Sequence, residues 1–189
     1  VSLLLFASVT QPQTLTGVPV YRINRAASSI RFAVKASVAI AGTFDHWDAA
    51  LAFTSLDPAT GVLDVKIQAA SVDTGSGMKN GKLRGNDFFN AKQDPFITFR
   101  SNRFVRTSPS TFEVDGDFTI RGVTKPERLT LTITDTRVGS GTIAGTMAFD
   151  RKEYGMNSGI PFIRIADYVE VAVKLAAKRV SGPPLLFRP

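Results

Sequence analysis

The stretch Gly116-Asp117-Phe118-Thr119-Ile120-Arg121-Gly122-Val123-Thr124-Lys125-Pro126 decides how the chain is read. Through Ile120 the residues alternate. Phe118 and Ile120 fall on one face and Asp117, Thr119 and Arg121 on the other, which is the period of a half-buried strand. Gly122 admits a turn that a β-branched residue resists. Pro126 has no backbone N–H, so the next strand is expected to begin just past it. The stretch is a corner where a sheet turns and comes back, and it carries no catalytic pattern.

The same design recurs on both sides. After a short extended lead-in at 21–24, alternation runs through 28–37 (Ile30, Phe32 and Val34 on one face). It continues through 41–54, with Leu51 and Phe53 sharing a face and Gly42 marking a bend, and through 61–70 with Leu63, Val65 and Ile67. Further strands are expected at 95–106, 111–121, 128–136, 142–151 and 167–177, the last with Val169, Val171, Val173 and Leu175 inward. Most joins are short and turn-like, such as Asp57-Pro58-Ala59-Thr60-Gly61, so the strands are expected to be antiparallel neighbours. The expected fold is all-β: an eight-stranded antiparallel up-and-down barrel, a size that can enclose one small ligand. A two-sheet sandwich with a filled core is the competing architecture.

The period breaks over 71–93. Four glycines (75, 77, 81 and 85) lie among Lys79, Lys82 and Arg84, while Met78, Leu83, Phe88 and Phe89 have roughly helical spacing. One or two short helical turns are expected near 78–89. Each glycine weakens a helix by about 1 kcal/mol against alanine, so this segment is expected to be loosely held. A connection this long in a compact domain is often functional, as a lid over a cavity.

Composition excludes several chemistries. With no cysteine there is neither disulfide nor thiolate metal site. With His46 as the sole histidine, a multi-histidine metal site is impossible, and no Gly-x-Ser-x-Gly surrounds any serine. Asp45 and Asp48, flanking Trp47, read as solvated turn acids. Fourteen phenylalanines in period-2 strands either fill a core or line an apolar cavity. The net charge of +7 suits a soluble basic surface or attraction to an anionic partner. Residues 1–9 resemble the apolar core of a secretory signal. The expected organisation is a leader at 1–20, a barrel over 21–178 and a Pro-rich disordered tail at 179–189.

Several motifs occur in a fixed order: Gly42-x-Phe44-x-x-Trp47, Ser71-Val72-Asp73-Thr74, Leu83-Arg84 with Asp87-Phe88-Phe89, Pro95-Phe96-Ile97-Thr98-Phe99, the opening stretch 116–126, and Arg151-x-x-Tyr154-Gly155-Met156. As a set, covering about 21–178, they resemble the YceI-like family. The resemblance implies a lipocalin-like barrel, mostly secreted or periplasmic, that binds polyisoprenoid or related long-chain lipids in its lumen. Joined to the alternation, it nominates Ile30, Phe32, Val34, Phe44, Leu51, Phe53, Ile67, Phe99, Phe118, Ile120, Met147, Phe149 and Val171 as lumen residues. Met78, Lys79, Lys82, Leu83, Arg84, Phe88, Phe89, Tyr154, Met156 and Phe162 are nominated for the mouth and the lipid headgroup. The expected partner is a long-chain lipid, an isoprenoid or fatty amphiphile, with transient contact to an anionic membrane surface. No cofactor, metal or nucleic acid is expected, and the chain is expected to act as a monomer or homodimer. The leading expectation is a non-enzymatic lipid carrier in which Phe118→Asp loses lipid and keeps the fold. A barrel enzyme acting on a lipid-like substrate and a module for anionic surfaces are the alternatives.

Overall fold

A computed structural model describes residues 17–37, 40–134, 139–159 and 162–187. Its elements, in chain order, begin with β1 (Val20–Ala36), β2 (Ile40–Phe44), β3 (Trp47–Phe53), β4 (Gly61–Gln68) and β5 (Val72–Asp73). A helix follows, α1 (Gly77–Arg84), and then β6 (Phe96–Arg106), β7 (Thr111–Ile120), β8 (Val123–Thr134), β9 (Ser140–Asp150) and β10 (Ile165–Ser181). Alternation in sequence becomes alternation in burial: every second residue of β4 is buried. All ladders are antiparallel, in one sheet of order β3-β4-β6-β7-β8-β9-β10-β1-β2-β5. The sheet curls on itself as the expected up-and-down barrel does, but it has ten strands rather than eight.

The two extra strands have a local cause. The expected strand 41–54 breaks at Asp45-His46, not at Gly42. Its first half pairs with β1 and with the two-residue β5. Its second half, from Trp47, pairs with β4. Gly42 serves a close approach instead, since a Cβ there would lie 2.6 Å from the Asp73 carbonyl oxygen and 2.9 Å from the Phe32 ring. The edge strand β3 meets β1 through side chains. Tyr21 stacks edge-on against Phe53 at 5.8 Å, Arg25 lies 5.6 Å above the Trp47 ring, and Arg25 pairs with Asp48 at 3.7 Å. The lead-in 21–24 and the strand at 28 are one strand with a bulge, where Ser28 Oγ donates to the Asn24 carbonyl and accepts from the Ala176 N–H.

The opening stretch turns more tightly than expected. Arg121 (φ 54°) and Gly122 (φ 71°) are both left-handed, as a two-residue hairpin loop requires. β8 resumes at Val123 and carries Pro126 inside it, opposite Asp117. The missing N–H is tolerated because β8 pairs with β9 only over Thr130–Thr134, leaving that side of Pro126 without a ladder partner among the described residues.

The chain's ends also depart from expectation. Most of the leader 1–20 lies outside the described residues. The tail 179–189 is not all loose. β10 runs to Ser181, the Leu186 N–H donates to the Leu56 carbonyl at 2.8 Å, and Phe187 packs against the core. Its turn rests on Gly182 (φ 74°), where a Cβ would collide with the Val18 carbonyl oxygen at 2.2 Å.

Candidate functional site

Inward side chains at one end of the barrel leave a cavity of about 380 Å³. Its walls come from alternate positions: Ile30, Phe32 and Val34 of β1, Phe44 of β2, Ile67 of β4, Phe118 and Ile120 of β7, Phe149 of β9 and Val171 of β10. Met78, Lys79, Lys82 and Leu83 of α1, with Phe88, Phe89 and Met156, line its upper part. Met78 is 88% exposed and yet lines the cavity, so the cavity reaches the surface beside α1.

Seven nominated residues do not reach it. Leu51 and Phe53 lie at the far end, paired with Leu63 and Gly61, and border a separate void of about 80 Å³ with Tyr21, Leu185 and Phe187. Phe99 faces inward, but its ring leans over Gly116, where a Cβ would sit 2.7 Å from it. Met147 is buried outside the cavity wall. Arg84 turns away and donates to the Val72 carbonyl at 3.2 Å. Phe162 stands fully in solvent.

Tyr154, the seventh, lies beneath the floor. It is wholly buried, packed 5.5 Å from the Phe118 ring and 5.3 Å from the Phe149 ring, and its hydroxyl donates to Glu127 at 2.7 Å. Burial, then that bond to a carboxylate, pushes its phenol well above the ordinary tyrosine range. Because Phe118 sits inside this aromatic cluster, Phe118→Asp would bury a charge in packed rings and damage the fold itself, contrary to expectation.

Six further lining residues were not nominated: Ile40, Ile97, Arg151, Ile163, Ile165 and Val169. Ile40, Ile97 and Val169 sit two or four residues from nominated positions, so the period already marked them. Arg151 also lies two residues from Phe149, but a charged side chain gives no apolar signal. Its side chain is 7% exposed. Its Nε donates to the Ala166 carbonyl at 3.0 Å, Nη1 donates to the Met156 and Ser158 carbonyls, and Nη2 lies 3.7 Å from Asp167. It rivets the loop after β9 to the start of β10.

The lid is held at both ends. Ser76 caps α1 by accepting the Lys79 N–H, and Asn80 bonds the Thr74 backbone N–H, the Thr74 hydroxyl and Asp73. Across the mouth, Asp87 accepts from Lys82 on one oxygen and from Ser158 at 3.2 Å on the other. The Lys82 hydrogen bond, then that of Ser158, holds the Asp87 carboxyl below its ordinary range. The segment expected to be loose is thus tied to two other parts of the barrel. His46 is exposed in the β2–β3 turn, and no group of three His, Asp or Glu among the described residues could hold a metal.

A curled antiparallel sheet around one apolar, lidded cavity defines a lipocalin-like binding fold. Residues 21–177 match the YceI-like domain, and the chain belongs to that family. The YceI protein of Escherichia coli is 36% identical over 88 residues, 47% of this chain and 46% of that protein. A UPF0312 protein of Azotobacter vinelandii is 33% identical over 85 residues, 45% of this chain and 44% of that protein. The matched stretch thus spans under half the length of these curated relatives. Among solved structures, BcnA of Burkholderia cenocepacia superposes with a TM-score of 0.75 at 25% identity, over 82% of this chain and 99% of that one. A polyisoprenoid-binding domain from Saccharophagus degradans shares the fold, with a TM-score of 0.66 at 15% identity over 85% of this chain and 99% of that domain.

Proposed function

We propose that this chain binds a long-chain apolar lipid, a polyisoprenoid or similar amphiphile, in its cavity and stores or carries it outside the cytoplasm without transforming it. The observation that carries this reading is the apolar cavity under a tethered lid. Family membership and the fold likeness to a polyisoprenoid-binding domain support it. At ~30 Å³ for a water-sized group, the cavity holds on the order of a dozen chain carbons. At about 0.8 kcal/mol per buried methylene their burial contributes roughly 10 kcal/mol before ordering costs. The tail therefore supplies most of the affinity, and a longer chain must project from the mouth or widen the barrel. Loading takes place at a membrane surface, where exposed Met78 and Phe162 insert beside the mouth and the +7 chain is drawn to anionic lipid.

The test is organic extraction and mass analysis of purified protein, repeated with Val34→Trp. Val34 is half-buried on the cavity wall, so an indole there fills space that is empty. A co-purifying lipid that disappears in a Val34→Trp protein of unchanged melting temperature is expected. Lipid retained at full stoichiometry by that variant, or no lipid bound even when isoprenoids are supplied to the parent, overturns the reading.

A further inference from the structure

Three cationic side chains, Lys79, Lys82 and Arg151, line an otherwise apolar cavity, and no carboxylate among the described residues lines it. The guanidinium of Arg151 is already committed to three carbonyls and Asp167. The two lysines sit on the helix at the mouth. Both project from α1, whose eight residues include no acid and whose last turn is basic. The Lys82 ammonium is half-exposed at the mouth and 5.9 Å from the centre of the Phe88 ring, with a carboxylate oxygen of Asp87 against it. That carboxylate is an internal stand-in. It shows an anionic oxygen held where the apolar cavity meets water.

We infer that the cavity selects an amphiphile with an anionic head, a carboxylate or phosphate, which takes the Lys79 and Lys82 ammonium groups while its chain enters the cavity. This rests on the lipid-binding reading above and names the ligand's class. An arriving head competes with Asp87 for Lys82, and Ser158 keeps a hold on Asp87 as the lysine changes partner. A neutral alcohol of the same chain gains the burial but not the ion pairs, which are strengthened by the apolar wall beside them.

The experiment is calorimetric titration of delipidated protein with dodecanol below its solubility limit, and with dodecanoate and dodecyl phosphate below their micelle-forming concentrations, at low and high salt. Dodecanoate and dodecyl phosphate are expected to bind about tenfold tighter than dodecanol at low salt, with the advantage shrinking as salt rises. Lys79→Gln with Lys82→Gln is expected to abolish the advantage of the two anionic heads over dodecanol. Asp87→Asn, which removes the competing carboxylate, enlarges it. Equal affinity for all three ligands, or an advantage untouched by the lysine changes, overturns the inference while leaving lipid binding standing. Failure of all three to bind defeats lipid binding itself and this inference with it. Sedimentation with phosphatidylglycerol vesicles separates the remaining source of anionic charge. If the lysine changes abolish vesicle binding but not the preference among monomeric amphiphiles, the lysines serve the bilayer and the inference fails.

Discussion

The two ends of this barrel are built from the same alternating strands and do opposite things. At the far end Phe112, Val114, Leu63 and Leu175 are buried to 1% exposure or less, the tail folds over them, and a void of about 80 Å³ remains. At the mouth the same inward positions stop short of one another and leave about 380 Å³. The difference lies in what covers each end. The tail closes the far end with Leu185 and Phe187, whereas the mouth is spanned by a helix held through polar contacts. A packed end gives stability and a spanned end gives access.

The largest effect is expected at the packed end. Phe112→Ala removes a fully buried ring and should cost about 3–5 kcal/mol in urea unfolding, far more than the filling change Val34→Trp at the mouth. Comparable losses at the two sites would break the contrast. A middling effect belongs between the ends. Gly116→Ala would place a Cβ 2.6 Å from the Arg100 carbonyl oxygen and 2.7 Å from the Phe99 ring, so overpacking should cost about 1–3 kcal/mol. Unchanged stability would mean the β6–β7 contact is looser than its distances.

The smallest effect is expected from acid and should be confined to the mouth. The Gly75 N–H and Asn80 hold Asp73 below its ordinary range, and Lys82 and Ser158 do so for Asp87. A carboxyl lowered by folding stabilises above its unfolded value of about 3.9, and that contribution is lost as pH falls through the lower folded value. Below about pH 4, hydrogen-exchange protection corrected for intrinsic rates should fall in α1 while β7 around Phe112 keeps its own. Simultaneous loss in both would show that the lid is not a separate unit.

Alternation told which face each residue occupies but not its height in the barrel. Phe53 and Phe118 look equivalent by period, yet one belongs to the far end and the other to the cavity wall. Height depends on register between strands, and register follows from pairings such as Leu51 with Leu63 that no local window contains. The break at Asp45-His46 was hidden for the same reason, since it exists to let Thr43 and Phe44 pair with a two-residue strand from another part of the chain. Arg151 was legible only as part of a motif, because its partners are backbone carbonyls, which look alike in every sequence. The lid was legible as a loss of period flanked by glycines, though its tethers were not.

The partial ladder between β8 and β9 bears on how large a guest can be. From Pro126 to Leu129 the wall beside β9 has no rungs among the described residues, and the bond from Tyr154 to Glu127 spans the floor there. A closed ladder resists expansion in proportion to the bonds that must break together. Here the wall is held by side-chain bonds, from Tyr154 to Glu127, Lys125 to Glu153 and Arg121 to the Gly155 carbonyl, rather than by a ladder. Guests can widen the wall there without breaking a ladder, so the resting volume sets the size of guest the barrel takes without stretching rather than the largest it can hold.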